Sequence, residues 1–173
     1  MRFSAAGAST DTSAFTACFN RHVDSVRVTA YLLCRDRHRA EDLTQAAFLK
    51  LYLAWSRLDE HEHLGAYLRK VVVREFLTDR RRAWWRRESG VDEPPESPAV
   101  EPDREDRVVL WDLISALPPR QRAVLVLRFW QDLDVNDTAA ALGCTPGTVK
   151  SQTSKALAAL RARLSVGRES YAR

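Results

Sequence analysis

The chain has 173 residues, enough for one ordinary domain or two small ones. Its 45% hydrophobic content is that of a folded protein, and 27 Lys plus Arg against 23 Asp plus Glu leave a net charge of +4, too small in total to name a nucleic-acid partner. No apolar run approaches the roughly 18 residues of a membrane span, residues 1–13 lack the apolar stretch of a secretory signal and read as a short disordered lead-in, and three scattered cysteines, Cys18, Cys34 and Cys144, lack the pattern of a disulfide framework and point to a reducing cytoplasm.

Helical spacing recurs along the chain and strand alternation is absent, which predicts an all-α protein. In the first block, residues 14–87, the side chains Phe15, Phe19, Val23, Val26 and Ala30 fall on one stripe. After an Asp36-Arg37-His38-Arg39 turn, Leu43, Ala47, Leu51 and Trp55 recur every fourth residue in a second helix. A third helix starts near Leu64 and carries Tyr67, Leu68, Val71, Val72, Glu75 and Phe76. Residues 88–106 differ in kind: eight acids against one base, four prolines and no apolar face describe a flexible, extended linker and mark the domain boundary. The second block, residues 107–165, opens with a helix bearing Val108, Trp111, Leu113 and Leu117, which Pro118-Pro119 stops. Pro119 suits the first turn of the next helix, with Val124, Leu125, Leu127 and Phe129. Residues 166–173 form a tail. The expected architecture is two small helical domains joined by an acidic linker.

Residues 134–160 read as helix, turn, helix. Asp134 can cap the first helix, with Asp137 in its first turn against the positive dipole end. The small run Thr138-Ala139-Ala140-Ala141 allows close approach of another helix, and Gly143 supplies the left-handed residue that ends the first. Thr145 can cap the second helix, with Pro146 at its first position. Val149, Ala156, Leu157 and Leu160 form an inward stripe, leaving Thr148, Lys150, Ser151, Gln152, Thr153 and Lys155 largely outward. Hydroxyl and amide side chains there can read base edges in a major groove while lysines meet phosphates. An ordinary helical hairpin has the same spacing; the absence of any acid from Cys144 to Arg163 favours DNA.

The end of the first block is basic and aromatic. Residues 65–87 hold Arg69, Lys70, Arg74, Arg80, Arg81, Arg82, Arg86 and Arg87 against only Glu75 and Asp79. Beside the acidic linker, this asymmetry is an electrostatic footprint for a polyanion. Trp84 and Trp85 can stack on unpaired bases or wedge at a duplex edge. The alternative is a solvated charged helix whose tryptophans pack into the domain, as one of the two is expected to do.

Three segments in order resemble the extracytoplasmic-function sigma factors of bacterial RNA polymerase, especially an actinobacterial type. Residues 40–48 (AEDLTQAAF) resemble their core-polymerase-binding helix, residues 117–125 (LPPRQRAVL) the opening of their C-terminal domain, and residues 143–151 (GCTPGTVKS) the start of their recognition helix. The acidic linker and the tandem tryptophans also fit, and the resemblance spans nearly all of residues 14–165. It implies that the helix holding Glu41, Asp42, Leu43, Gln45 and Phe48 docks on the clamp helices of the polymerase's largest subunit. The loop of residues 59–64, with His61 and His63, and the helix after it, with Arg69, Lys70, Arg74, Arg80, Arg81, Trp84 and Trp85, would recognise and open the downstream promoter element. The linker would thread into the polymerase cleft. The helix-turn-helix, through Thr145, Gly147, Thr148, Lys150, Ser151, Gln152 and Lys155, would read the upstream element. The resemblance also implies an anti-sigma partner and neither catalysis nor a cofactor. Gln152-Thr153 stands where relatives often carry Arg or a large apolar residue, and Val135-Asn136-Asp137-Thr138 lacks the usual Glu-Ile pair.

Two other readings compete. A stand-alone helix-turn-helix regulator would bind promoter DNA without polymerase, as a dimer on a two-fold site; the basic end of the first block argues against it. A metalloenzyme would need ligands besides His61-x-His63 and a distant Cys, and nothing else has ligand spacing.

Overall fold

A computed structural model describes the backbone of residues 5–58, 63–88 and 111–171, and the side chains of residues 12–58, 63–82 and 111–165. The described residues form helices and turns, as expected, without a strand. α1 spans Ala5–Cys34. It starts earlier than expected, because most of the lead-in from Ala5 is helical; Ala5, Ala6 and Ala8 lose almost no side-chain entropy in a helix.

Arg35, at φ 57, breaks the path after α1. Asp36 is extended and its carboxylate accepts from the Arg39 N–H at 3.0 Å, so the expected turn is the first turn of α2, Arg37–Ala54. A 3-10 turn, Trp55–Arg57, follows. α3 spans Leu64–Glu88. The four-residue spacing in α2 reports its inward face faithfully: Leu43, Ala47, Leu51 and Trp55 are all buried. They meet Leu33 of α1 and Leu68, Val72 and Phe76 of α3 in one core. Each large apolar side chain so buried contributes about 1.5–3 kcal/mol relative to its exposed state. Phe19, expected on the inward stripe, is 38% exposed at the rim, its ring 4.6 Å from that of Phe48.

In the second block, helical residues 111–115 (α4) stop before Pro118, and Pro119 opens α5, Pro119–Leu125. A wider π turn, Val126–Trp130, replaces the expected continuation of that helix and leaves Phe129 exposed. α6, Val135–Leu142, and α7, Pro146–Tyr171, make the helix-turn-helix. Asp134 caps α6 by accepting from the Asp137 N–H at 2.7 Å, and Gly143 ends it at φ 64. Thr145 caps α7, its hydroxyl accepting from the Thr148 N–H at 3.2 Å. Cys18 and Cys34 are buried, the Cys34 thiol donating to the Asp36 carbonyl at 3.2 Å, and Cys144 is partly buried.

The two blocks are not held apart. Ala123, Val126, Leu127 and Ala141 belong to the same core as Phe76 and Leu33, and α6 packs along α3. The alanine run is what lets α6 come so near. Arg122, 4% exposed, crosses the boundary: its guanidinium donates to the Leu33 carbonyl at 2.6 Å, to Leu117 at 3.3 Å and to the Ser115 carbonyl.

Candidate functional site

The first surface lies on α2. With Leu43, Ala47 and Leu51 turned inward, the opposite face carries Asp42, Gln45, Leu49, Tyr52 and Leu53, all exposed. Leu49, Tyr52 and Leu53 are 58%, 59% and 63% exposed, a contiguous apolar ending to a stripe that begins with a carboxylate and an amide. Of the expected docking residues, Asp42 and Gln45 are on this stripe. Glu41 is half-buried and accepts from Arg27 Nε at 2.7 Å, and Arg27 in turn donates to Asp24 at 3.0 Å. Leu43 and Phe48 are 8% and 5% exposed, so they fasten the helix to the core and offer no surface. A motif spanning residues 40–48 stops short of Leu49, Tyr52 and Leu53; reading the face opposite the four-spaced core would have found them.

The second surface is α3. The two acids among its described side chains are spent inside the first block: Asp79 accepts from Arg39 at 2.9 Å and Glu75 from Lys50 at 2.5 Å. The remaining charge on the described part is positive. His63, Arg74, Arg81 and Arg82 are exposed, and Arg69, Lys70 and Arg80 are half-buried. Arg80 lies over the Phe76 ring at 5.9 Å. Arg69 Nε is buried without a hydrogen-bond partner. His22 of α1 packs against Gly65 at the start of this helix. Burial, then the charges of Arg21 and Arg69, pull its imidazole below the ordinary value. His61 and the side chains of Trp84 and Trp85 lie outside the described residues.

The third surface is the start of α7. Thr145, Gly147, Lys150, Ser151, Ser154 and Lys155 are exposed. Thr148 and Gln152, expected outward, are half-buried and turned toward Leu77, Arg120 and Val124, because they flank the fully buried Val149. Thr153 is half-buried too, and its hydroxyl donates to the Val149 carbonyl at 2.8 Å. The outward row is therefore Lys150, Ser151, Ser154 and Lys155. Ser154 went unnoticed in the sequence, although it stands four residues beyond Lys150. Among the described residues no group of His, Cys, Asp and Glu could hold a metal ion, and no helix is long and apolar enough to cross a membrane.

The three surfaces fall within two matched regions. Sigma-70 region 2 matches residues 18–86, which contain the α2 stripe and most of α3, and sigma-70 region 4 matches residues 107–160, which contain the helix-turn-helix. The RNA polymerase sigma-E factor of Streptomyces coelicolor is 38% identical over 147 residues, 82% of this chain and 80% of that protein. The ECF RNA polymerase sigma factor SigM of Mycobacterium tuberculosis is 31% identical over 87% of this chain and 76% of its own length. In solved structures, the sigma factor RpoE in complex with the anti-sigma factor NepR from Bartonella quintana matches with a TM-score of 0.73 and 26% identity, over 88% of this chain and 98% of that one. CnrH, in complex with the cytosolic domain of CnrY, shares the fold at a TM-score of 0.63 and 20% identity, over 90% of each chain. Matched in both regions and related along most of its length, the chain belongs to the extracytoplasmic-function sigma factors of bacterial RNA polymerase.

Proposed function

We propose that this sigma factor docks on core RNA polymerase through the exposed α2 stripe, Asp42, Gln45, Leu49, Tyr52 and Leu53, and directs initiation by engaging the promoter with α3 and α7. The observation that carries the docking surface is the exposure of three large apolar residues in line with two polar ones on a helix otherwise anchored in the core. Burying that row against a partner removes apolar area from water and lets Asp42 and Gln45 fix orientation. Charge supplies the other half. Residues 14–87 form the unit that takes the downstream element, with His63, Arg69, Lys70, Arg74, Arg80 and Arg81 along the strand, and residues 107–165 the unit that takes the upstream element, joined by the acidic linker, residues 88–106.

On α7, Lys150 and Lys155 meet phosphates while Ser151 and Ser154 lie nearest to bases; Thr145 is occupied as a cap. Arginines hold paired and separated strands alike, so opening needs a group specific for unstacked bases. His61, His63 and whichever of Trp84 and Trp85 is free fit that role by chemistry, since stacking returns about 1–3 kcal/mol per base. The protein works in the cytoplasm, where polymerase and promoter are, without catalysis of its own. An anti-sigma factor is a further partner, as for the similar sigma factor RpoE, which was solved in complex with the anti-sigma factor NepR.

The test is retention by immobilised core polymerase. Asp42→Ala with Leu53→Ser should lower retention at least tenfold with an unchanged circular dichroism spectrum; wild-type retention would remove α2 from the assignment. A stand-alone regulator would shift promoter duplex without polymerase and show no such loss.

A further inference from the structure

The start of α3 gathers basic side chains from two helices. At Gly65, the second residue of α3, a Cβ would stand 3.3 Å from His22 Cε1, 3.6 Å from His22 Nδ1 and 3.5 Å from Arg69 Nη1. His22 comes from α1 and Arg69 from α3, so the two converge on a point that glycine leaves empty. Gly65 itself is half-buried. Arg21, next to His22, is exposed, as are His63 and Ala66 beside Gly65 in the chain. The core already joins α1 to α3 through Val26, Leu33, Leu68 and Val72, so this basic group adds charge where packing does not need it.

The described carboxylates of the first block are spent elsewhere. Asp24 and Glu41 pair with Arg27, Glu75 with Lys50 and Asp79 with Arg39. Asp36 caps α2, and Asp42 lies on the exposed α2 stripe. Among the described residues neither Arg21 nor Arg69 pairs with an acid, and Arg69 Nε is buried without a hydrogen-bond partner. Cys18, one turn before His22, is a buried thiol that burial pushes up, so it supplies no negative charge. Burial first, and then the charges of Arg21 and Arg69, hold the His22 imidazole below its ordinary value. An anion placed among the three would reverse the effect of both arginines on the imidazole. The positive end of the α3 dipole adds to the same field. A donor without a partner, two further cations and room where a side chain would stand suit a phosphate, which takes charge-assisted bonds from several donors at once.

We infer that Arg21, His22 and Arg69 form a seat over Gly65 for one backbone phosphate of the promoter strand, which makes α1 a DNA-contacting helix beside α3 and α7. The seat holds the strand in place and reads no base, as backbone contacts do. His22 takes up a proton as the phosphate enters. Strand affinity therefore rises as pH falls through the window between the free and the bound imidazole, and levels off below it. The inference rests on α3 being the downstream-element surface.

The test uses holoenzyme assembled from core polymerase and the full chain. Fluorescence anisotropy reports binding of a labelled single-stranded oligonucleotide carrying a downstream element, over a range of salt and pH. Arg69→Ala should weaken binding about tenfold. Arg21→Ala should weaken it less. Each should make the slope of log affinity against log salt shallower by about 0.7, the value for one phosphate on a single strand. In the wild type, uptake of one proton lets affinity rise by up to about tenfold per pH unit as pH falls, and His22→Gln should remove that rise. The difference between these two chains isolates the His22 imidazole from His61, His63 and core polymerase. Gly65→Ala fills the seat while favouring the helix, so it should weaken binding without lowering the thermal midpoint of the chain. Arg74→Ala, further along α3, checks the reading beneath the inference. If Arg74→Ala weakens binding while the four seat variants keep the wild-type affinity, salt slope and pH profile, α3 stands as the strand surface and the seat is overturned. A pH profile kept by His22→Gln overturns it too, as does a loss in Gly65→Ala that appears only with a lowered thermal midpoint. If Arg74→Ala and all the seat variants bind as the wild type does, the proposed function fails together with the inference.

Discussion

The two halves of the chain are stabilised by different means. The first is built on large side chains, with Leu33, Leu51, Leu68 and Phe76 at 0–2% exposure and aromatic edges at its rim, where Phe15 meets Tyr52 at 5.2 Å and Trp55 at 5.1 Å. The second has smaller clusters, Val124, Ala139 and Val149 in one and Leu117, Leu125, Ala156 and Leu160 in another. It relies more on backbone chemistry: the Asp134 cap, left-handed Gly143, the Thr145 cap and the carbonyls gathered by Arg122. A half held by caps and short contacts can keep its shape while moving as a unit, which suits a reader of duplex DNA. A half with a deep core suits the platform role proposed for it above.

Substitutions that separate the halves sharpen this contrast. Phe76 lies where they meet, within the first core and beneath Arg122. Phe76→Ala should cost about 3–5 kcal/mol and lower the urea midpoints of both halves together; a loss confined to one half would mean that the shared core is only apparent. Arg122→Met keeps the aliphatic length but strips donors from three carbonyls. Unmet acceptors cost about 1–3 kcal/mol, partly offset by relief of the buried charge. Unfolding should split into two transitions, resolved by calorimetry, and a single unshifted transition would show that Arg122 does not join the halves. Asp134→Ala removes one cap and should cost about 1 kcal/mol, felt by the helix-turn-helix alone; amide exchange in α6 would rise while that in α2 stays unchanged. The smallest effect belongs to His22. Its imidazole titrates below 6.5 in the folded chain, through burial first and then Arg21 and Arg69. The unfolded chain therefore takes up its proton first as pH falls, so the His22 contribution is intact above that value and is lost as pH drops through the lower, folded one. His22→Gln should flatten that part of the acid slope; an unchanged slope assigns it elsewhere.

Much of each half could be read along the chain, because local chemistry dictated it. Leu43, Ala47, Leu51 and Trp55 recur every fourth residue and are buried; Asp134, Gly143, Thr145 and Pro146 occupy the turns that their backbone and capping preferences demand. The contact between halves was not legible. It joins residues as far apart as Leu33 and Arg122, and the contrast of a basic helix with an acidic linker suggests separation. Nothing local signals the burial of Arg122, since arginine is almost never fully buried, and the carbonyls that make it possible include that of distant Leu33. Thr148 and Gln152 were read outward because a helical stripe tells inside from outside but not which flank a neighbouring helix will cover. Leu49, Tyr52 and Leu53 were passed over for the opposite reason: apolar residues outside the core stripe read as unplaced until the helix is seated.

Initiation itself is the most direct test. Run-off transcription with core RNA polymerase and a library of genomic promoter fragments should yield discrete start sites that appear only when this chain is added, and that disappear with the Asp42→Ala, Leu53→Ser variant. Transcripts identical with and without the chain, while the chain alone shifts the same promoter duplexes, would contradict the account.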